Sequence, residues 1–175
     1  IDEVIIDPTN RLADAYMPDN SSKLNYQLEF DHQLWKYPDW KNYEIRYRPD
    51  IWWNNYDGMK IGLNLSGDYM KHHHIINLTT WLNTGELQTE SILPTKDYDS
   101  YSYRLIYNTN LDNFTLDAQL KIKSKFIAGL HTNKIGIEKS YREGKNKLKV
   151  DIISLYRTNN KYQIAIPWDL KKIIM

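Results

Sequence analysis

Apolar and polar residues alternate one for one along most of this chain. Over residues 43–54, Tyr43, Ile45, Tyr47, Pro49, Ile51 and Trp53 share one phase, and Glu44, Arg46, Arg48, Asp50, Trp52 and Asn54 share the other. A period of two is the mark of a strand with unlike faces. After Asn54-Asn55-Tyr56-Asp57-Gly58, Met59, Ile61, Leu63 and Leu65 alternate with Lys60, Gly62, Asn64 and Ser66. Asp57-Gly58 supplies the positive φ angles of a tight hairpin, so residues 43–67 read as two paired strands. The same alternation predicts strands over residues 72–83, 101–108, 134–141, 147–156 and 161–168, and a short one over 2–7. The longest unbroken phase runs from Phe114 to Leu130, with Thr132-Asn133 as the turn that follows it. At about 3.3 Å per residue such a strand exceeds the usual globular length, so it either projects beyond its neighbours or is broken by a bend that no turn residue signals.

These segments predict an all-β chain: an antiparallel up-and-down meander of about eight strands, with no helix of any length, as in a closed or partly closed barrel. The polar stretch over residues 17–23 divides residues 1–23, the end of a preceding domain or a linker, from a barrel segment over 24–175. Residues 24–42 change to alternating aromatics and charges around Trp35, Tyr37 and Trp40, which suit either a core cap or a membrane interface. Residues 86–100 form an acid-rich connection longer than a hairpin needs. The chain opens on Ile1 and ends on Ile173-Ile174-Met175 straight after a strand-like segment, and so reads as a piece of something longer.

The solvent of each face decides the class. The apolar phase of the strand interiors carries no Asp, Glu, Lys or Arg, whereas the polar phase collects Glu44, Arg46, Arg48, Asp50, Lys60, Arg104, Asp117, Lys121, Lys123, Glu138, Lys149 and Asp151, together with Trp52 and Trp81. A soluble barrel turns its apolar phase inward; a membrane barrel turns it outward. Long strands, Trp and Tyr near strand ends, and mixed charge on the polar phase favour the membrane version. In that version Glu44, Arg46, Arg48, Asp50, Lys60, Trp81, Arg104, Asp117 and Lys121 face the lumen. The alternatives are a soluble barrel holding a hydrophobic ligand and a carbohydrate-binding β-domain working through Trp52 and Trp81.

Composition narrows the chemistry. Fourteen Tyr and six Trp among 175 residues describe an ordered, strand-forming chain, and a net charge of +1 gives no basic field for nucleic acid. The Lys121, Lys123 and Lys125 row, with no aromatics interleaved, reads as a solvated face. Without cysteine there is no disulfide and no thiol chemistry. In His72-His73-His74 only the first and third can share a strand face, and no second ligand pair accompanies them, so no metal is assigned here. Glu44 and Asp50 share a face with Arg46 and Arg48 between them, an ion-pair ladder rather than a glycosidase pair. No phosphate loop or nucleophile elbow is present, and no catalytic or cofactor-binding residue is assigned.

The run Arg48-Pro49-Asp50-Ile51-Trp52-Trp53-Asn54-Asn55, followed by Asp57-Gly58-Met59-Lys60-Ile61-Gly62, resembles a pattern in the C-terminal barrel region of certain Gram-negative zinc metallopeptidases of the aminopeptidase-N-like gluzincin family. The motif residues are Arg48, Pro49, Trp52, Trp53, Asn54, Asp57, Gly58 and Gly62. Upstream, Asp7-Pro8 with Leu12 and Asp14 is similar to the segment that ends the soluble portion of such proteins. The resemblance implies an outer-membrane barrel that anchors a peptidase, its partners being outer-membrane lipid and the remaining barrel strands. The family's H-E-x-x-H helix is not in these residues, so any zinc belongs to a peptidase domain outside them and this segment is expected to be non-catalytic.

Overall fold

The computed structural model describes residues 4–9, 11, 16–23, 25–32, 37–70, 73–88, 98–112, 114–141 and 144–158. Eight strands follow one another: β1 (Tyr26–Phe30), β2 (Tyr43–Asn54), β3 (Gly58–Tyr69), β4 (His73–Asn83), β5 (Tyr101–Asn110), β6 (Ala118–Ile127), β7 (Leu130–Tyr141) and β8 (Asn146–Arg157). They form one sheet in the order β1 to β8, and each pair from β2 onward is antiparallel. The expected all-β meander is therefore present, as an open sheet. Its departure from expectation is β1, which pairs parallel to β2 from Tyr26↔Tyr43 to Phe30↔Tyr47. Residues 31–42 carry the chain back, so the aromatic stretch over 24–42 yields a five-residue strand and a return connection. A four-residue 3-10 turn at Met17–Asn20 is the one helical element among the described residues. Of the predicted strand over 2–7, the described part makes a single bridge, Ile5↔Ser21. The strand predicted over 161–168 lies outside the described residues.

Two turns differ from their sequence reading. The β2–β3 turn is a three-residue loop, with Gly58 at φ 71° and the Asn54 side chain accepting hydrogen bonds from the backbone of Tyr56 (3.0 Å) and Asp57 (2.7 Å). Glycine alone takes the left-handed position, so Asp57 is free to point its carboxylate elsewhere. The long phase from Phe114 to Leu130 is broken in the middle. Strand β6 ends at Ile127, Ala128 (φ 51°) and Gly129 (φ 70°) make a two-residue turn, and β7 starts at Leu130. Thr132 and Asn133 pair inside the ladder, with Lys125 and Ser124. A two-residue hairpin swaps odd for even positions on a face, and Ala128 and Gly129 are small enough to fit either template, so the alternation ran across the turn unmarked.

The sheet sorts its faces as the phases do, and over β2 to β4 the polar face is the more buried. Buried polar side chains include Glu44, Lys60, Asn64, Asp68, Thr79, Asn83 and Ser102, with Trp81 beside them at 7% exposure. On the other phase Ile51 (72%), Leu82 (70%) and Ile152 (73%) are open, as are Ile61, Leu63, Ile135, Ile137, Leu148 and Val150. Curling toward the polar face explains the inversion. Strand β3, which starts next to Asp57, and β6, which ends next to Ala128, are three strand spacings apart, roughly 14 Å in a flat sheet. Nevertheless, the backbone N–H of Ala128 donates to Asp57 Oδ2 at 3.2 Å. We call the end bearing the β2–β3 and β6–β7 turns the upper end.

The apolar phase has its own exceptions. Phe126 is buried on it by aromatic neighbours, stacking on His131 at a centroid distance of 4.0 Å and lying 5.4 Å from Tyr101. Lys139 also falls on this phase, paired with Ala118 and Leu148, a correction to the charge-free expectation. It sits near the lower rim of β7, where Nζ reaches Thr115 and the ring of Tyr141 at 5.4 Å.

Candidate functional site: the polar face of the sheet

The polar face carries two clusters, each set by cross-strand register. At the upper end, Lys60 of β3 stands opposite Asn83 of β4 and Trp52 of β2. Its side chain is fully buried. Nζ donates to Asp57 Oδ2 (2.5 Å), Asn83 Oδ1 (2.8 Å) and Ser102 Oγ (2.7 Å). Three donors meet three acceptors, the condition for keeping an ammonium out of water. Trp52 lies 5.6 Å from Lys60 Nζ, and its ring is 5.6 Å from that of Trp81. Gly62 lies between Asp50 and Trp81 in the register. A Cβ there would run into the Trp81 indole and the Thr80 carbonyl. The missing side chain lets the indole cross β3 and donate to Asp50 Oδ2 at 2.6 Å. Alternation placed Lys60, Asp50, Trp81, Asn83 and Ser102 on the polar phase of their strands; that Asn83, Ser102 and the Asp57 carboxylate meet at Lys60 Nζ follows from register and curl.

Toward the lower end the ladder is ionic. Arg46 bridges Glu44 (3.3 Å) and Asp68, the latter a partner that alternation within one strand did not point to. Arg48 reaches Asp31 at 3.7 Å. Across β6 to β8, Glu138 takes Lys121 (2.7 Å) and Lys147 (3.5 Å), and Asp151 takes Lys134 (2.8 Å) and Lys149 (3.4 Å). Asn64 donates to Thr79 at 2.7 Å between the two clusters. Arg104 is exposed on the same face. Asp117, expected on a lumen face, instead precedes β6 with φ 57°, and its carbonyl accepts from Ser140 N–H at 3.0 Å.

The remaining motif residues frame the hairpin. Pro49 lies in the stretch of β2 beyond Tyr47, where β1 has ended, and a residue without an N–H is tolerated on such an edge. Trp53 is exposed on the apolar phase and donates to the Leu87 carbonyl at 3.0 Å, tying the hairpin to the β4–β5 connection. Of the histidines, His74 (φ 47°) places Nδ1 2.7 Å from the Tyr107 hydroxyl, while His72 lies outside the described residues. No group of three or more His, Asp or Glu among the described residues could hold a metal ion. Comparisons with protein-family models, with curated proteins and with solved structures found no match.

Proposed function

We propose that residues 24–175 are a non-catalytic, membrane-anchoring wall of an outer-membrane β-barrel in a Gram-negative bacterium. One observation carries this reading: over β2 to β4 the polar phase is the more buried and most of its charged groups are paired, while apolar side chains stand open on the other phase of strands of spanning length. A transmembrane strand needs about 9–11 residues, and β2 to β8 have 10 to 12 each. The apolar band also drifts across the sheet, from Ile45–Ile51 in β2 to Leu148–Ile152 in β8, as tilted strands require. Aromatic Tyr103, Phe126, His131 and Tyr156 fall in one register row toward the upper end, which suits an interface. A carrier of hydrophobic ligands needs its apolar phase inside, the reverse of this burial. A sugar platform built on Trp52 and Trp81 needs both indoles open, whereas Trp81 is covered and Trp52 alone of the pair is exposed. Attachment to a zinc metallopeptidase rests on the resemblance of residues 48–62 and of the upstream stretch from Asp7 to Asp14, with zinc assigned to the peptidase portion.

The test is charge on the apolar face. Leu63→Arg, Leu120→Arg and Ile152→Arg are each expected to cost roughly 2–4 kcal/mol of folding into lipid vesicles, measured on the whole parent protein by urea titration. Negligible losses at all three positions overturn the membrane reading.

A further inference from the structure

Not every cation on the polar face has an acid. Arg104 of β5 stands directly opposite Lys125 of β6, and Lys123 of β6 directly opposite Lys134 of β7. Like charges in such pairs repel at about 5 Å between Cβ atoms, and the two rows are about 7 Å apart. Asp151 answers Lys134, while Arg104, Lys123 and Lys125 are exposed and have no acidic partner among the described residues. Arg157 of β8 lies on the same phase, opposite Leu130 and one row beyond Lys125, and its Nη1 is buried without a hydrogen-bond partner among the described residues. The lower part of these same strands is treated differently, since Lys121, Lys147 and Lys149 each have a carboxylate. A repulsive block kept beside a neutralised one calls for an anion from outside the strands.

We infer that the polar face of β5 to β8 binds a small polyvalent anion bearing phosphate or carboxylate groups, held by Arg104, Lys123, Lys125 and Arg157. The Lys123 row and the Arg104–Lys125 row, about 7 Å apart with Arg157 one row beyond, suit two anionic groups on one molecule. The flanking polar-phase residues Ile106, Ile153 and Leu155 are aliphatic and offer no stacking surface for bases, which sets nucleic acid aside. The site's place in a barrel lumen rests on the reading above; anion binding by this face does not.

Inorganic pyrophosphate is the probe, titrated calorimetrically into the whole parent protein in detergent at low salt. Saturable binding that weakens as salt is raised is expected. Arg104→Gln, Lys123→Gln and Lys125→Gln together should weaken it at least tenfold. Lys23→Gln, Lys41→Gln and Lys145→Gln, which remove the same charge elsewhere, should change it less than twofold. Absence of saturable binding, or equal weakening by both triple variants, overturns the site. Should the first triple variant fail to fold, Lys123→Gln and Lys125→Gln singly should each weaken binding severalfold, and no effect of either overturns it. A glutamate hexapeptide that competes at lower concentration than pyrophosphate overturns the small-anion assignment in favour of acidic side chains. Vesicle insertion, measured on the same samples, separates the two readings. Binding without insertion sinks the membrane reading alone, and insertion without binding sinks this one.

Discussion

At the residue scale the molecule turns on Lys60. A lysine with no exposed surface is tolerated only because Asp57, Asn83 and Ser102 accept hydrogen bonds from its three N–H groups, and Asp57 also ties the β2–β3 turn to Ala128 across the curl. Removing one partner of a buried pair strands the other charge. Lys60→Met is therefore expected to lower stability by about 3–5 kcal/mol, read from the urea midpoint of the whole parent protein. Combining it with Asp57→Asn should recover part of that loss, since no buried charge remains. If the double variant were as unstable as the single one, packing rather than charge would hold this cluster. The alternation of residues 58–66 put Lys60 on the polar face; its burial came from strands distant in sequence.

At the element scale, the β6–β7 hairpin separates local signal from tertiary outcome. Ala128 sits at φ 51°, where a β-carbon crowds the backbone at a cost of roughly 1–2 kcal/mol. Asn tolerates that region, so Ala128→Asn is expected to stabilise the chain by about 1 kcal/mol in equilibrium unfolding. Thr132→Pro tests the same hairpin from the other side. Thr132 pairs with Lys125 and with Leu155, so proline should cost about 3 kcal/mol or more; a neutral result would return the turn to Thr132-Asn133.

At the scale of the whole molecule, the two borders of the sheet are unlike. Strand β8 spans 12 residues with both faces open, Ile153 and Leu155 on one and Ile152 and Tyr156 on the other, and its outer edge has no partner among the described residues. On the opposite border β1 covers only the first five residues of β2, in the parallel sense that an up-and-down ring does not use. An open edge in lipid leaves backbone groups unsatisfied at several kcal/mol each. Under the membrane reading proposed above, a sheet with these two edges left open is expected to stay protease-sensitive in detergent, whereas one whose edges are paired resists. A heat-modifiable, protease-resistant monomer of these 175 residues would show that the strands here suffice to close a ring.

What the sequence determined by itself was the all-β class, the faces of the strands and the partition of charge, because strand periodicity is a local property written in every second residue. It also marked the β2–β3 hairpin, since Asn54 and Gly58 act within five residues. The parallel docking of β1, the hairpin at Ala128-Gly129, the burial of Lys60 and the unanswered cations on β5 to β8 were decided by tertiary structure. Each depends on which strand lies beside which and in what register, and alternation, which rules out slips of one residue, does not choose among slips of two that keep every side chain on its face.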